Sequence, residues 1–279
     1  MNNFWTRVIS GIGMIALVVY LIGYGPIGIT IMALIIGTGS HYEWLKLKGS
    51  LNPSNFVISL IFFLFILFFK QIHLSEYGII AKTGINILMV FLGLMHFQKT
   101  GKYFNMNLII NQFYISVPLL FFTFTPYSKG FFNQYNAMLP IMLMVLVWSS
   151  DSWAYVAGKL FGKHKLAPSI SPGKTWEGLI GGTILTGLSG YFYVTYFLSP
   201  NGGLIGDSNF HNFTPIKGLI LGILISIFGT MGDLFESSLK RKAGVKDSGN
   251  VLPGHGGMLD RFDAFLFAVV VFTIVSRIP

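Results

Sequence analysis

Apolar residues run through the chain in long stretches that are separated by short polar connections. A helix needs about 20 predominantly apolar residues to cross a bilayer, and about nine stretches approach that length. The predicted helices are roughly 5–22, 26–43, 55–71, 77–97, 107–126, 137–160, 175–198, 215–236 and 260–277. The pattern predicts an all-α, polytopic integral membrane protein with about nine transmembrane helices.

Composition supports this prediction and narrows the class of partner. Hydrophobic residues make up 53% of the chain and charged residues only 10%, whereas soluble domains carry about 25% charge. The net charge of +9 could indicate nucleic acid in a soluble protein. Here the lysines lie in short loops, where they set membrane topology, so we expect membrane lipid and no nucleic acid as a partner.

The distribution of lysine and arginine predicts the orientation of the helices. If the N-terminus is cytoplasmic, most of the 19 Lys and Arg residues fall on the cytoplasmic side, as the positive-inside rule requires. The loop that contains Lys163 and Lys174 then shares that side with the acidic segment 233–263. Nucleotides are found there.

Pairs of glycine predict close contacts between helices. Gly178 and Gly182 are four residues apart in the seventh predicted helix, and Gly218 and Gly222 have the same spacing in the eighth. Small residues at this spacing let helix backbones approach closely. We therefore expect these glycines to serve packing.

Half of the ten acidic residues lie between Asp233 and Asp263, where long apolar stretches flank them. On a helix that continues past the eighth span, Asp233, Glu236 and Lys240 share one face. A solvated helix end would produce the same pattern for Glu236. Asp260 and Asp263 form a second pair, and helix capping would explain Asp260 but not Asp263, which lies one turn further in.

A second polar cluster precedes the seventh predicted helix. The sequence Gly-Lys-Thr that ends at Thr175 invites comparison with a P-loop, but Pro168 occupies the position where that motif needs glycine. Ser171 and Pro172 instead predict a helix start. Lys174 then lies near a helix N-terminus, which suits a phosphate, although a positive-inside anchor is the alternative.

Three further groups complete the candidate chemistry. Asp151, deep in the sixth predicted span, requires polar neighbours or a water-filled cavity. His255 lies among glycines, including Gly256 and Gly257, which permit close approach to a ligand. The adjacent Lys246 and Asp247 could instead be a surface ion pair of little energetic consequence.

Together these residues offer carboxylates for a hard cation and lysines or arginines for phosphates. A chain with no cysteine and with oxygen ligands favours Mg²⁺ over zinc. Phosphoryl-group chemistry depends mostly on positioning and charge neutralisation. Because no nucleophile with an adjacent base is evident, we expect direct transfer without a covalent enzyme intermediate.

The sequence resembles the phosphatidate cytidylyltransferases, also called CDP-diacylglycerol synthases. The family signature is matched by Ser237, Leu239, Lys240, Arg241, Lys246, Asp247, Gly249, Leu252, Pro253, His255, Gly256, Gly257, Met258, Asp260, Arg261, Phe262 and Asp263. The upstream segments around Asp151 and Lys174 also resemble the family. The similarity covers residues 148–263 directly, and the N-terminal half matches only in hydropathy and in Glu43-Trp44.

The resemblance implies a dimeric membrane enzyme that condenses CTP with phosphatidate to give CDP-diacylglycerol and pyrophosphate. It implies at least one Mg²⁺ held by Asp233, Asp260 and Asp263, with Lys240 and Arg241 also at the reaction centre. The residues expected to bind substrate are Asp151, Ser171, Lys174, Lys246, Asp247, His255, Gly256, Gly257 and Arg261.

The resemblance also suggests a division of labour along the chain. Residues 1–136 would form a scaffold of about five helices, and residues 137–279 would carry a site that faces the cytoplasm. The expected location is a bacterial cytoplasmic membrane.

Two other functions remain open at the level of sequence. A CTP-dependent lipid-alcohol kinase would share the nucleotide and the membrane but would transfer the terminal phosphoryl group. An ion-coupled transporter would also contain intramembrane acids, although no repeated half is visible in the chain. The released product distinguishes the first alternative, and activity in detergent excludes the second.

Overall fold

The computed structural model describes residues 3–72, 106–127, 135–198, 213–251 and 256–278. Within these ranges the protein is mostly helical. The helices are α1 (Asn3–Gly23), α2 (Pro26–Leu47), α3 (Pro53–Ile72), α4 (Met106–Asn111), α5 (Val117–Phe124), α6 (Met138–Phe161), α7 (Trp176–Tyr193), α8 (Pro215–Lys242) and α9 (Leu259–Val275). The π-helix Gln112–Ser116 joins α4 to α5, and the π-helix Val194–Leu198 extends α7.

Eight of the predicted apolar stretches coincide with helices, and the prediction at 77–97 lies outside the described residues. Three helical segments of the described chain are both long and apolar enough to cross a membrane: Asn107–Phe124, Met138–Phe161 and Pro215–Lys242. Shorter apolar helices cover Val8–Gly23 and Pro53–Leu67. The chain is therefore a mostly helical protein with membrane character.

A two-stranded antiparallel hairpin makes the all-α prediction incomplete. Strand β1 (Lys165–Ala167) pairs with β2 (Ser171–Thr175) directly before α7. The predicted helix start at Ser171 and Pro172 is therefore wrong by several residues. Thr175 is the true N-cap, because its backbone is extended and its hydroxyl accepts the N–H of Gly178 at 3.1 Å.

The core lies where α2 and α5 meet α9. Trp44, Phe122, Phe265 and Phe272 are fully or almost fully buried. The rings of Phe122 and Phe265 pack edge to face with their centroids 5.1 Å apart, an arrangement that aromatic pairs prefer. This apolar contact fixes α9, whose first two turns carry Asp260 and Asp263.

Glycine lets α6, α7 and α8 pack at very short range, as the spacing predicts. A Cβ atom on Gly182 would lie 2.9 Å from the Cα of Ala154 in α6, and one on Gly222 would lie 2.2 Å from the carbonyl oxygen of Thr186 in α7. Both distances are shorter than side chains tolerate. These close contacts bring polar groups at the ends of the three helices together.

Substitution of Gly222 by alanine is expected to lower the free energy of unfolding by about 1–3 kcal/mol, because the new methyl group forces α7 and α8 apart. Gly13→Ala is the matched control, since a Cβ at that helical position meets nothing within 4 Å. Thermal unfolding in detergent measures the difference. Equal melting temperatures for the two variants would show that the α7–α8 contact can relax without cost.

Candidate active site

A cleft of about 450 Å³ opens between α6, the hairpin, α7 and α8. Its lining includes two acids, Asp151 and Asp233, together with Lys174 and the hydroxyl residues Ser171 and Thr230. Asp151 is exposed and lines this space, as expected for an acid within an apolar helix. The cleft thus contains residues from both polar clusters of the sequence, Asp233 from the acidic segment and Lys174 from the segment before α7.

Lys174 reaches from β2 to the acid on α8. Its Nζ lies 2.5 Å from Oδ2 of Asp233, and Ser237, one turn further along α8, donates its hydroxyl to the other oxygen of Asp233 at 3.1 Å. Both partners of the ion pair keep about a quarter of their side-chain surface exposed. The charges are therefore accessible to a ligand that enters the cleft.

The hairpin that carries Lys174 is attached at two points. Glu177 in the first turn of α7 accepts the N–H groups of Lys163 and His164 and lies 2.6 Å from His164 Nδ1. Arg241 donates its Nε hydrogen to the carbonyl oxygen of Ile170 at 3.2 Å. The sequence predicts a role for Arg241 at the reaction centre, and the structure places its guanidinium group on the hairpin backbone.

Lys240 lies between two acids at the end of α8. Its Nζ forms an ion pair with Glu236 and another with Oδ1 of Asp260 at 2.7 Å. Glu236 is completely buried and Asp260 is 7% exposed at its side chain. Because buried carboxylates are stable as anions only when they are paired, Lys240 balances the charge beneath the site.

Asp260 organises the loop that connects α8 to α9. Its Oδ2 accepts the N–H of Ser248 at 2.9 Å and the N–H of Gly257 at 2.8 Å. Gly256 adopts a φ of +86°, a left-handed conformation that favours glycine. The predicted glycines therefore shape the loop around this carboxylate.

Asp263 lies one helical turn beyond Asp260 and contacts the backbone N–H of Ala264 through Oδ1 at 2.7 Å. Electrostatic repulsion links its carboxylate to those of Asp233 and Asp151. Asp151 of α6, Asp233 of α8 and Asp263 of α9 are therefore close enough for their charges to repel one another. Such a concentration of like charge favours a cation.

The donors at this place fit Mg²⁺. In the part of the chain that the structure describes, no three His, Cys, Asp or Glu side chains converge as a preformed metal cage. Mg²⁺ commonly uses one or two carboxylates and takes its other ligands from water and substrate phosphates. Asp233 and Asp263 satisfy that lower requirement, whereas Asp260 already accepts three hydrogen bonds.

Other predicted residues lie at the edge of the site or outside the described chain. Lys246, Asp247 and Arg261 are exposed around the α8–α9 loop. His255 lies outside the described residues, as do the neighbouring positions 252–254. Their predicted roles in binding substrate stay predictions.

Sequence reasoning gave no role to Glu43, which the structure brings to the same loop. Its buried carboxylate accepts the N–H groups of Met258 and Leu259 and the hydroxyl of Ser248. The available signal was an acid at the end of an apolar helix. Spacing could not reveal its partners because they lie more than 200 residues away.

The chain is similar in sequence to several known proteins. A phosphatidate cytidylyltransferase of Haemophilus influenzae is 33% identical over 216 residues, which are 74% of this chain and 69% of the relative. A phosphatidate cytidylyltransferase of Bacillus subtilis is 32% identical over 266 residues, 94% of either chain. One from Staphylococcus aureus is 41% identical over 164 residues, 58% of this chain and 55% of the relative.

The match to a family model extends over nearly the whole chain. The model describes the cytidylyltransferase family and aligns with residues 5–278, so it includes the N-terminal helices as well as the signature region. The resemblance drawn from residues 148–263 is thereby confirmed and extended. The chain belongs to the cytidylyltransferase family.

Proposed function

We propose that this protein transfers the cytidylyl group of CTP to phosphatidate and releases CDP-diacylglycerol and pyrophosphate. The observation that carries the proposal is the cleft in which Lys174 of the hairpin meets Asp233 of α8. Family membership and the names of the relatives support this choice of substrates. A lipid phosphate at the membrane surface and a nucleotide from water could meet in such a cleft.

The proposed reaction is a single displacement at phosphorus. An oxygen of the phosphatidate phosphate attacks the α-phosphorus of CTP and forms a new P–O bond. The bond from that phosphorus to the β-phosphate oxygen breaks, and the electron pair leaves with pyrophosphate. The proposed transfer is direct and needs no covalent enzyme intermediate.

Lysines provide the positive charge that this reaction needs. Lys174 lies at the cleft with part of its side chain exposed, so a substrate phosphate can compete with Asp233 for its ammonium group. Charge-assisted contacts to phosphate are among the strongest hydrogen bonds in proteins. Lys240 instead holds Asp260 and Glu236 in place, and we assign it that supporting role.

Asp233 and Asp263 are the residues that we propose would hold Mg²⁺. When bound, the ion would neutralise negative charge on the phosphates of the reacting pair. Without it, the two carboxylates would repel an incoming nucleotide. Asp151 adds a third carboxylate that lines the cleft and would orient ligands through water.

The topology belongs to the same proposal. We propose about nine transmembrane helices, a cytoplasmic N-terminus and a cleft that faces the cytoplasm of a bacterial cell, with two copies of the chain forming a dimer. Residues 137–279 would carry the site and residues 1–136 the scaffold. The positive-inside distribution and the bacterial relatives support the orientation and the location.

A two-label assay tests the reaction. Purified protein in detergent receives phosphatidate, Mg²⁺ and CTP that is labelled either in cytidine or in the γ-phosphate. The proposal predicts cytidine label in chloroform-soluble lipid and γ-label in released pyrophosphate, with both signals lost on chelation of the metal. In a parallel assay a polyprenol replaces phosphatidate, and transfer of γ-label to that alcohol would indicate the kinase. No transfer to either lipid by folded protein would exclude both enzymes.

A further inference from the structure

Glu43 of α2 connects the N-terminal helices to the α8–α9 loop. Its side chain is almost completely buried, with 1% of the residue exposed. Oε1 accepts the N–H of Met258 at 2.9 Å, and Oε2 accepts the N–H of Leu259 and the hydroxyl of Ser248, both at 2.8 Å. The carboxylate therefore accepts backbone N–H groups at the N-terminus of α9 and also holds the loop through Ser248.

The loop is built closely around this carboxylate. A Cβ atom on Gly249 would lie 2.4 Å from Oε1 of Glu43, and one on Gly257 would lie 2.5 Å from Oε2. The three atoms nearest to the Gly249 position all belong to Glu43. The carboxylate thus occupies the space that a side chain at either glycine would need.

The same loop residues contact Asp260 on their other side. Ser248 donates its hydroxyl to Glu43 and its backbone N–H to Asp260, while Gly257 touches Glu43 and donates its N–H to Asp260. Asp260 in turn forms an ion pair with Lys240. A continuous set of contacts therefore runs from Glu43 through the loop to Asp260 at the start of α9 and Lys240 at the end of α8.

We propose that Glu43 is a positioning residue for cytidylyl transfer, which fixes the α8–α9 loop and thereby orients Asp260 and Lys240. The inference rests on the proposed function and adds a residue from the scaffold half of the chain to the site. Groups that orient the residues around a reaction centre typically change activity by about tenfold to a hundredfold when they are altered. Glu43 touches no atom that would react.

Substitution of Glu43 by glutamine is a sensitive test because glutamine retains the size and shape of glutamate. An amide has one oxygen where the carboxylate has two, so it keeps the contacts of Leu259 and Ser248 or the contact of Met258, but not all three. Glu43→Gln is expected to lower kcat by about tenfold and to leave KM for CTP within about threefold. The melting temperature should stay close to that of the parent protein.

A double-mutant cycle isolates the contact itself. Gly249→Ala alone should impair kcat strongly, because the methyl group collides with Glu43. In a Glu43→Ala background the same change should cost little more, since the colliding atoms are gone. Additive losses would overturn the proposal, because non-additivity is what direct contact predicts. If Glu43→Ala does not fold, the cycle is run with Glu43→Ser, which also lacks the colliding atoms.

Hydrogen exchange of the peptide that contains Met258 and Leu259 provides a readout that is independent of activity. Glu43→Gln should accelerate exchange there at least several-fold, whereas exchange in the interior of α6 should not change. If the parent protein shows this protection but makes no CDP-lipid, the proposed function fails while the loop contact stands. Normal kcat or unchanged exchange in Glu43→Gln would refute the positioning role.

Discussion

Asp233→Asn is expected to lower kcat/KM for cytidylyl transfer on the order of a hundredfold to a thousandfold, the loss typical when one stabilising group is removed from a reaction centre. Asparagine retains the size of aspartate and can still accept the hydroxyl of Ser237. It lacks the negative charge that pairs with Lys174 and that we propose holds Mg²⁺. Initial rates over a range of Mg²⁺ concentrations measure the change.

Two comparisons separate charge from packing at Asp233. Ser237→Ala removes a hydrogen bond to this acid but leaves its charge, so activity should stay within a few-fold of the parent protein. Lys174→Met combined with Asp233→Asn should lose more activity than either single variant, because in the proposed complex Lys174 binds a substrate phosphate while Asp233 holds Mg²⁺. Activity near that of the parent protein in Asp233→Asn would remove this acid from the proposed metal site.

Long apolar runs made the helices predictable, since a membrane span must satisfy its backbone internally and therefore follows from hydropathy. The extension of α8 to Lys242 was also predictable, because the spacing of Asp233, Glu236 and Lys240 continues the helical period. The hairpin at 165–175 escaped prediction. Its strands contain three and five residues, which is too short for a clear alternating pattern, and Pro172 resembled a helix start.

The candidate site, like the fold, could be predicted from the sequence only in part. Residues that belong to the signature, such as Lys240 and Asp260, could be recognised from the chain. Contacts between distant segments could not be predicted, because the pairing of Lys174 with Asp233 or of Glu43 with Met258 depends on how the helices pack. For Arg241, the charge suggested a contact with phosphate, and that role stays a prediction. The structure adds a contact that the sequence did not indicate, between its guanidinium group and the hairpin backbone.

Lys240→Met is expected to destabilise the protein by about 3 kcal/mol or more, since breaking a buried ion pair leaves an unpaired charge in the interior. Two acids lose their cation at once, because Lys240 contacts both Glu236 and Asp260. Its own side chain is only 12% exposed, so water cannot replace the lost contact. Thermal unfolding in detergent should show a clearly lower melting temperature than that of the parent protein.

A second substitution should recover part of this stability. Glu236→Gln replaces the completely buried acid with a neutral amide, and the double variant should therefore be more stable than Lys240→Met alone. Lys242→Met is the control on the same helix, and it should have little effect because that lysine is exposed. If the double variant regains stability but stays inactive, Lys240 is required for orienting Asp260 as well as for folding. Equal stability of Lys240→Met and Lys242→Met would show that the buried acids do not depend on Lys240.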